Sequence, residues 1–218
     1  MISPEAYYEL SLKGKNADEI LSEIKKLKRR ITELKRIAEH PEYKSTMCPS
    51  ECVQISCTRE YLDRAKQALS ELGVEYQPTK AELKANEFNK NIPYITNVTL
   101  SIGGYFYGED KYVVVIADDN VHYSFAHSDI PMSADDFKIL DLEMTAEEFL
   151  EELRDLHIGE WRKNYDTRRF GYDVCDGTQW TLEIKYAKEK KPVKIYGDNA
   201  YPYNFNRLKE LMMCEFED

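Results

Sequence analysis

The chain has 218 residues, 42% of them hydrophobic, with 16 tyrosines, 8 phenylalanines and a net charge of −10, the composition of a folded protein with a sizeable core. No apolar run approaches the ~18 residues of a membrane helix, and the leading MISPEAYYELSLKGK lacks the basic and apolar regions of a signal peptide. A soluble, cytoplasmic protein is the expectation, with the five cysteines (Cys48, Cys52, Cys57, Cys175, Cys214) read as free buried thiols.

A short helical segment around Pro4 to Leu12 runs to a break at Gly14. Asn16, with Glu19 three residues on, then opens a helix through a capping box. Ile20, Ile24, Leu27, Ile31, Leu34 and Ala38 follow at alternating spacings of four and three, ending at His40-Pro41. This seam suits a homodimerising coiled coil, but its length of nearly three heptads favours packing within its own protein. The same helix carries Lys25, Lys26, Lys28, Arg29, Arg30, Lys35 and Arg36, a basic face open to nucleic acid. Cys52 to Cys57 alternates as a strand, after which Thr58 caps a helix bearing Tyr61, Leu62, Ala65, Ala68, Leu69 and Leu72 and closing at Gly73. Val74 to Tyr76 reads as a second short strand or a tail. Thr79 and Glu82 form another capping box, for a helix to about Phe88. Residues 1–90 are thus expected to form a mainly helical region.

From Ile92 the period changes to two. Val98, Leu100 and Ile102 alternate with polar residues, Gly103-Gly104 marks a bulge or bend, and turns at Gly108 to Asp110 and Asp118 to Asn120 set off strands at Tyr112 to Ala117 and Val121 to Ala126. A polar loop covers Ser128 to Asp141. Thr145 and Glu148 then cap a helix whose apolar face is Phe149, Leu150, Leu153 and Leu156. Tyr172 and Val174, then Trp180, Leu182, Ile184 and Tyr186, then Val193 and Ile195 read as a second three-stranded meander. A lysine-rich turn separates its last two strands, and a helix carrying Phe205, Leu208, Leu211 and Met212 closes it. The fold class expected is α+β: the helical region, then an antiparallel domain over 91–218 in the order β-β-β-helix-β-β-β-helix.

Familiar chemistry is missing from the sequence. There is no GxGxxG, Walker-type loop, HExxH or GxSxG. Cys48, Cys52 and Cys57 with His40 lack a known zinc spacing, and a strand would point Cys52 and Cys57 to opposite faces, so no metal and no cofactor are expected. His122 and His127 are likewise five apart in one strand, and His157 pairs with Glu160 only across Gly159. No catalytic residue stands out, and an enzyme is not the favoured class.

Three surfaces remain as candidates. From Glu109 to Glu160 there are fifteen acidic residues against three basic, and Glu147, Glu148, Glu151, Glu152 and Asp155 concentrate them on one helix, although acidic residues in a first turn already suit the helix dipole. Asp176, Thr178, Gln179, Asp198, Asn199, Tyr201, Tyr203 and Asn204 gather at the turns of the last meander, where binding residues often sit but where turn chemistry and packing account for the same types. The third is the basic helix over 25–36.

Ile2 to Tyr8, Leu12 to Lys15, Cys57 to Leu62, Leu156 to Trp161, Asp176 to Trp180 and Lys191 to Phe205 together give the chain its family character, and across most of its length it resembles a group of uncharacterised proteins from anaerobic gut bacteria, often encoded near mobile elements. The resemblance implies no activity, cofactor or site residues, and its genomic setting implies a role in host interaction or defence. The leading expectation is therefore a non-enzymatic interaction module, such as an inhibitor or accessory protein of a mobile element, binding a basic protein partner through the acidic surface. The alternative is a nucleic-acid-binding module using the basic helix and the tyrosine-rich turns, which the net charge disfavours.

Overall fold

A computed structural model describes residues 2–45, 47–104, 108–117, 119–128, 138–140, 144–174, 176–187 and 190–214. Cys175, Asp118 and most of the loop expected at 128–141 lie outside them. The chain divides into two compact units, Met1–Thr79 and Lys80–Asp218. No helix among the described residues is long and apolar enough to cross a membrane.

The first unit is built from α1 (Pro4–Ser11), α2 (Ala17–Ala38) and α3 (Glu51–Glu71). Asn16 starts α2 as its spacing implies: its side chain accepts from the Glu19 N–H at 3.0 Å, and the Glu19 carboxylate accepts from the Asn16 N–H at 2.9 Å. The buried seam of Ile20, Ile24, Leu27, Ile31 and Leu34 packs against α3. An intramolecular partner thus covers the stripe that a coiled coil would use.

The strand expected at Cys52 to Cys57 is not formed, because these residues belong to the first half of α3. Ile55, Thr58, Leu62, Ala65 and Leu69 are buried and recur every three or four residues, so one helical face takes them all, whereas Val53 is 45% exposed. Thr58 is no cap. Its hydroxyl lies mid-helix and donates to the Gln54 carbonyl at 2.6 Å, and Ser56 donates to the Cys52 carbonyl at 3.3 Å. Those bonds satisfy the hydroxyls inside a helix that their residue types would otherwise disfavour. Val74 to Tyr76 forms no strand either.

The second unit begins with α4 (Lys80–Asn91), a helix the sequence grouped with the N-terminal region, and a 3-10 turn at Ile92–Tyr94. Then come β1 (Ile95–Gly104), β2 (Gly108–Ala117), β3 (Asn120–Ser128), β4 (Lys138–Leu140), α5 (Ala146–Asp155), β5 (Asn164–Asp166), β6 (Thr178–Tyr186), β7 (Val193–Asp198) and α6 (Phe205–Leu211). The strands form one seven-stranded sheet in the order β4-β3-β2-β1-β6-β7-β5. The α+β class holds, but the sheet is mixed: every neighbouring pair is antiparallel except β5 and β7, which run parallel.

The expected order is corrected in both halves: in the first, β4 adds a fourth strand before α5, at 138–140 within the stretch expected as a loop. In the second, Tyr172 to Val174 does not form a strand, and Val174 stays 41% exposed. Neither Tyr172 nor Val174 is buried, so nothing anchors this stretch to the apolar face. The third strand of that half lies earlier, at β5, held by a single buried side chain, Tyr165, whose ring sits 5.8 Å from Trp180 and 6.5 Å from Trp161.

Central β1 joins the halves. Leu100 lies between Tyr112 and Leu182, and Val98 between Val114 and Ile184, so consecutive rows of one face are buried. Phe149 and Leu153 of α5, Phe205 and Leu208 of α6, and Phe88 of α4 join that cluster. Thr145 accepts from the Glu148 N–H at 3.2 Å while Glu148 accepts from the Thr145 N–H at 2.9 Å, the capping box the sequence announces.

Candidate functional site

The three surfaces expected from sequence have different fates. On α5, Glu147, Glu148, Glu151, Glu152 and Asp155 are all exposed. Glu148 is occupied by the cap, and Glu152 accepts from Arg207 at 2.9 Å. Glu147, Glu151 and Asp155, each four residues from the next, form a single stripe with no partner among the described residues.

The turn cluster is largely consumed by structure. Asn199 accepts from the Thr178 N–H at 2.8 Å and donates its own amide to Asp198 at 2.9 Å. Tyr201 lies against Trp180 and 5.0 Å from Phe205, and burial raises its phenol above the ordinary value. The Trp180 indole donates to the Ala200 carbonyl at 2.9 Å and lies so close to Gly197 that a side chain there would meet the ring. Asn204 donates to the Leu156 carbonyl at 2.8 Å. Asp176 and Gln179 are exposed, and Tyr203 is half-buried. The corner is a lock that fastens α6 to the sheet.

Most of the basic helix is also engaged. Lys26 pairs with Glu23, Lys28 donates to the Tyr76 hydroxyl at 3.0 Å, Arg30 donates to Gln54 at 2.8 Å, and Arg36 pairs with Glu33. Lys25 and Arg29 remain exposed, with no partner among the described residues.

The feature that sequence reasoning missed is a cavity of about 590 Å³ in the second unit. Its buried lining is Phe88 of α4, Ile158, Gly159 and Trp161 of the turn after α5, and Ile195 of β7, with Tyr186 and Val193 half-buried beside them. Lys84, Arg162, Lys163, Lys190, Lys191 and Lys194 also line it and are exposed, against one carboxylate among the described residues, Glu87. Burial thus separates an apolar floor from a cationic rim.

Gly159 builds this cavity by letting two walls meet. A Cβ on it would lie 2.9 Å from the Ala85 Cα, 2.9 Å from the Phe88 Cβ and 3.0 Å from the Ala85 carbonyl oxygen. Only a residue without a side chain permits the 3-10 turn Ile158–Glu160 to approach α4 so closely. His157 enters this turn in the left-handed conformation, φ 51°, after the helix has ended, so His157 and Glu160 do not share a helical face.

The cations hold different partners. Lys190 donates to Asn91 and lies 4.3 Å from the Tyr94 ring centroid, while Lys194 pairs with Glu183 at 3.2 Å. The side chains of Lys84, Arg162, Lys163 and Lys191 have no carboxylate partner among the described residues. Trp161 is 4% exposed, and its buried indole N–H has no acceptor among them. Burial pushes the Tyr186 phenol up to about 12, which keeps it neutral and a donor.

The setting makes this concentration unusual. From residue 80 to 218 there are 17 Lys and Arg against 27 Asp and Glu, so the second unit carries the whole net charge of −10. Six of its cations nevertheless surround one cavity. Among the described residues the lining has no Cys, His, Ser, Thr or Asp, and the chemistry they offer is charge, ring surface and hydrogen bonding. Among the described residues no group of three His, Cys, Asp or Glu is placed to hold a metal, and Cys48, Cys52, Cys57 and Cys214 are unbridged. Comparison with protein-family models, curated proteins and solved structures finds no match to this chain.

The signals for the cavity were present but scattered. Lys190 and Lys191 belong to the lysine-rich turn, and Arg162, Lys163 and Lys84 stand in no pattern that singles them out. Nothing local states that the β6–β7 hairpin, the turn after Trp161 and α4 converge.

Proposed function

We propose that this protein is a binding module whose second unit captures a small anionic ligand in the cavity rimmed by Lys84, Arg162, Lys163, Lys190, Lys191 and Lys194. One observation carries the reading: a unit with a net charge of −10 places six cations and one carboxylate, among the described residues, around its cavity. Like charges held together cost free energy unless an anion joins them, and a concave wall of low dielectric focuses their field on the ligand. Isothermal titration calorimetry with inorganic pyrophosphate tests it. The expected result is saturable binding that weakens over about 0.05 to 0.5 M salt as screening rises and that Arg162→Glu with Lys191→Glu reduces at least tenfold. Equal heats for wild type and this variant refute it.

A second reading, binding of a basic protein surface by α5, is favoured by the unpartnered stripe of Glu147, Glu151 and Asp155. The inhibitor or accessory role near a mobile element belongs with this reading. Retention on an immobilised basic protein that persists after all three are reversed to lysine counts against it.

A further inference from the structure

Resting on the anion-binding reading, we infer that the ligand is a nucleoside phosphate, with its base in the apolar part of the cavity and its phosphates on the cationic rim.

A volume of about 590 Å³ falls within the range of pockets that enclose a whole small organic ligand, far beyond what a bare inorganic anion requires. The remainder of the ligand must therefore occupy the floor.

The floor suits a flat ring. Half-buried Tyr186 and Val193 supply aromatic and aliphatic surface against which a ring can lie, over a base of buried Phe88, Ile158, Trp161 and Ile195. The same lining also offers polar groups. Asn91 donates to Glu87 at 3.3 Å and accepts from Lys190, so a carboxamide with a second N–H to donate and a carboxylate that accepts stand side by side for the edge of a heterocycle. Tyr186 adds a neutral hydroxyl. A plain hydrocarbon chain would make no use of these groups.

Charge sets the other end. A monocarboxylate would offset one of the rim cations, whereas a phosphate carries roughly −1.5 to −2 and several acceptor oxygens. Lysines serve phosphate as point charges, and an arginine such as Arg162 can grip two oxygens at once. The four cations without a carboxylate partner among the described residues match a di- or triphosphate better than a single anion.

Titration calorimetry on the full chain separates the alternatives, with ADP, GDP, UDP, adenosine, inorganic pyrophosphate and octanoate as probes. The strongest nucleoside diphosphate should bind at least tenfold tighter than both pyrophosphate and adenosine, since stacking of a base and rim contacts add. Lys191→Glu should weaken nucleotide and pyrophosphate alike. Tyr186→Ala should weaken the nucleotide alone, with circular dichroism confirming that the fold is intact. Pyrophosphate binding as tightly as every nucleotide would overturn the nucleoside assignment and leave the anion site standing. Octanoate binding most tightly would overturn it in favour of an acyl anion. No binding by any probe would overturn both readings.

Discussion

Replacing Gly159 by alanine should destabilise the second unit and deform its cavity together. The added methyl would sit 2.9 Å from the Ala85 Cα and the Phe88 Cβ, where unstrained carbon pairs stand about 3.5 to 4.0 Å apart. Two of the three offending atoms are backbone, so no rotamer change relieves the overlap, and the 158–160 turn must move away from α4. Overpacking of this kind costs about 1–3 kcal/mol. Because the φ of Gly159 lies outside the left-handed range, alanine also restricts the unfolded chain and returns about 0.4–1 kcal/mol. The net expectation is a loss of about 1–2 kcal/mol, or roughly 2–8 °C in the unfolding transition of a unit this size. Urea unfolding followed by tryptophan fluorescence reports it, since both Trp161 and Trp180 lie in this unit. Ala85→Gly should not rescue the variant, because the clash is with the Ala85 backbone. Unchanged or increased stability of Gly159→Ala would refute the close approach, and with it the wall of the cavity.

Two further outcomes follow from the cap and the core. Thr145→Ala removes the side-chain acceptor that starts α5 and should cost about 1 kcal/mol in urea unfolding, whereas Thr145→Ser should cost little. Burial pushes the Tyr123 phenol from the ordinary 10.0 up to about 12, so the folded state keeps a proton that the unfolded chain releases. Its contribution is complete below pH 10 and lost as pH rises towards about 12, an effect of about 2–3 kcal/mol. Tyr123→Phe should flatten that alkaline part of the stability profile, and an equally steep fall in the variant would assign it elsewhere.

What the sequence made legible was what is local. Asn16 with Glu19 and Thr145 with Glu148 announced their helices because a capping box is complete within four residues. β1, β2, β3, β6 and β7 announced themselves because one face of each is buried and the other is not. The errors arose where a local pattern was too short to decide. Cys52 to Cys57 alternates for six residues, but the burial of Ile55, Thr58, Leu62, Ala65 and Leu69 over fifteen residues is helical. β5 offers only Tyr165 as an apolar residue, so no period exists to detect. The cavity failed for a different reason. Lys84 and Lys190 are more than a hundred residues apart, and they meet only because β6 pairs with β1 and brings the β6–β7 hairpin to the end of α4. Among the expected surfaces, the turns at Asp176–Gln179 and Asp198–Asn204 carried strong residue signals for a reason internal to the fold, the fastening of Trp180, Tyr201 and Phe205.

The cavity as an anion site is tested most directly by following the indole N–H signals of the two tryptophans in an ¹⁵N-labelled chain during titration with inorganic pyrophosphate. Trp161 lines the cavity and its N–H has no acceptor among the described residues, whereas the Trp180 N–H is held by the Ala200 carbonyl. The Trp161 signal should move saturably while that of Trp180 stays in place, and Arg162→Glu with Lys191→Glu should suppress the movement. A Trp161 signal that stays fixed while pyrophosphate binds, or that moves as much in the charge-reversed variant, would contradict the cavity as an anion site.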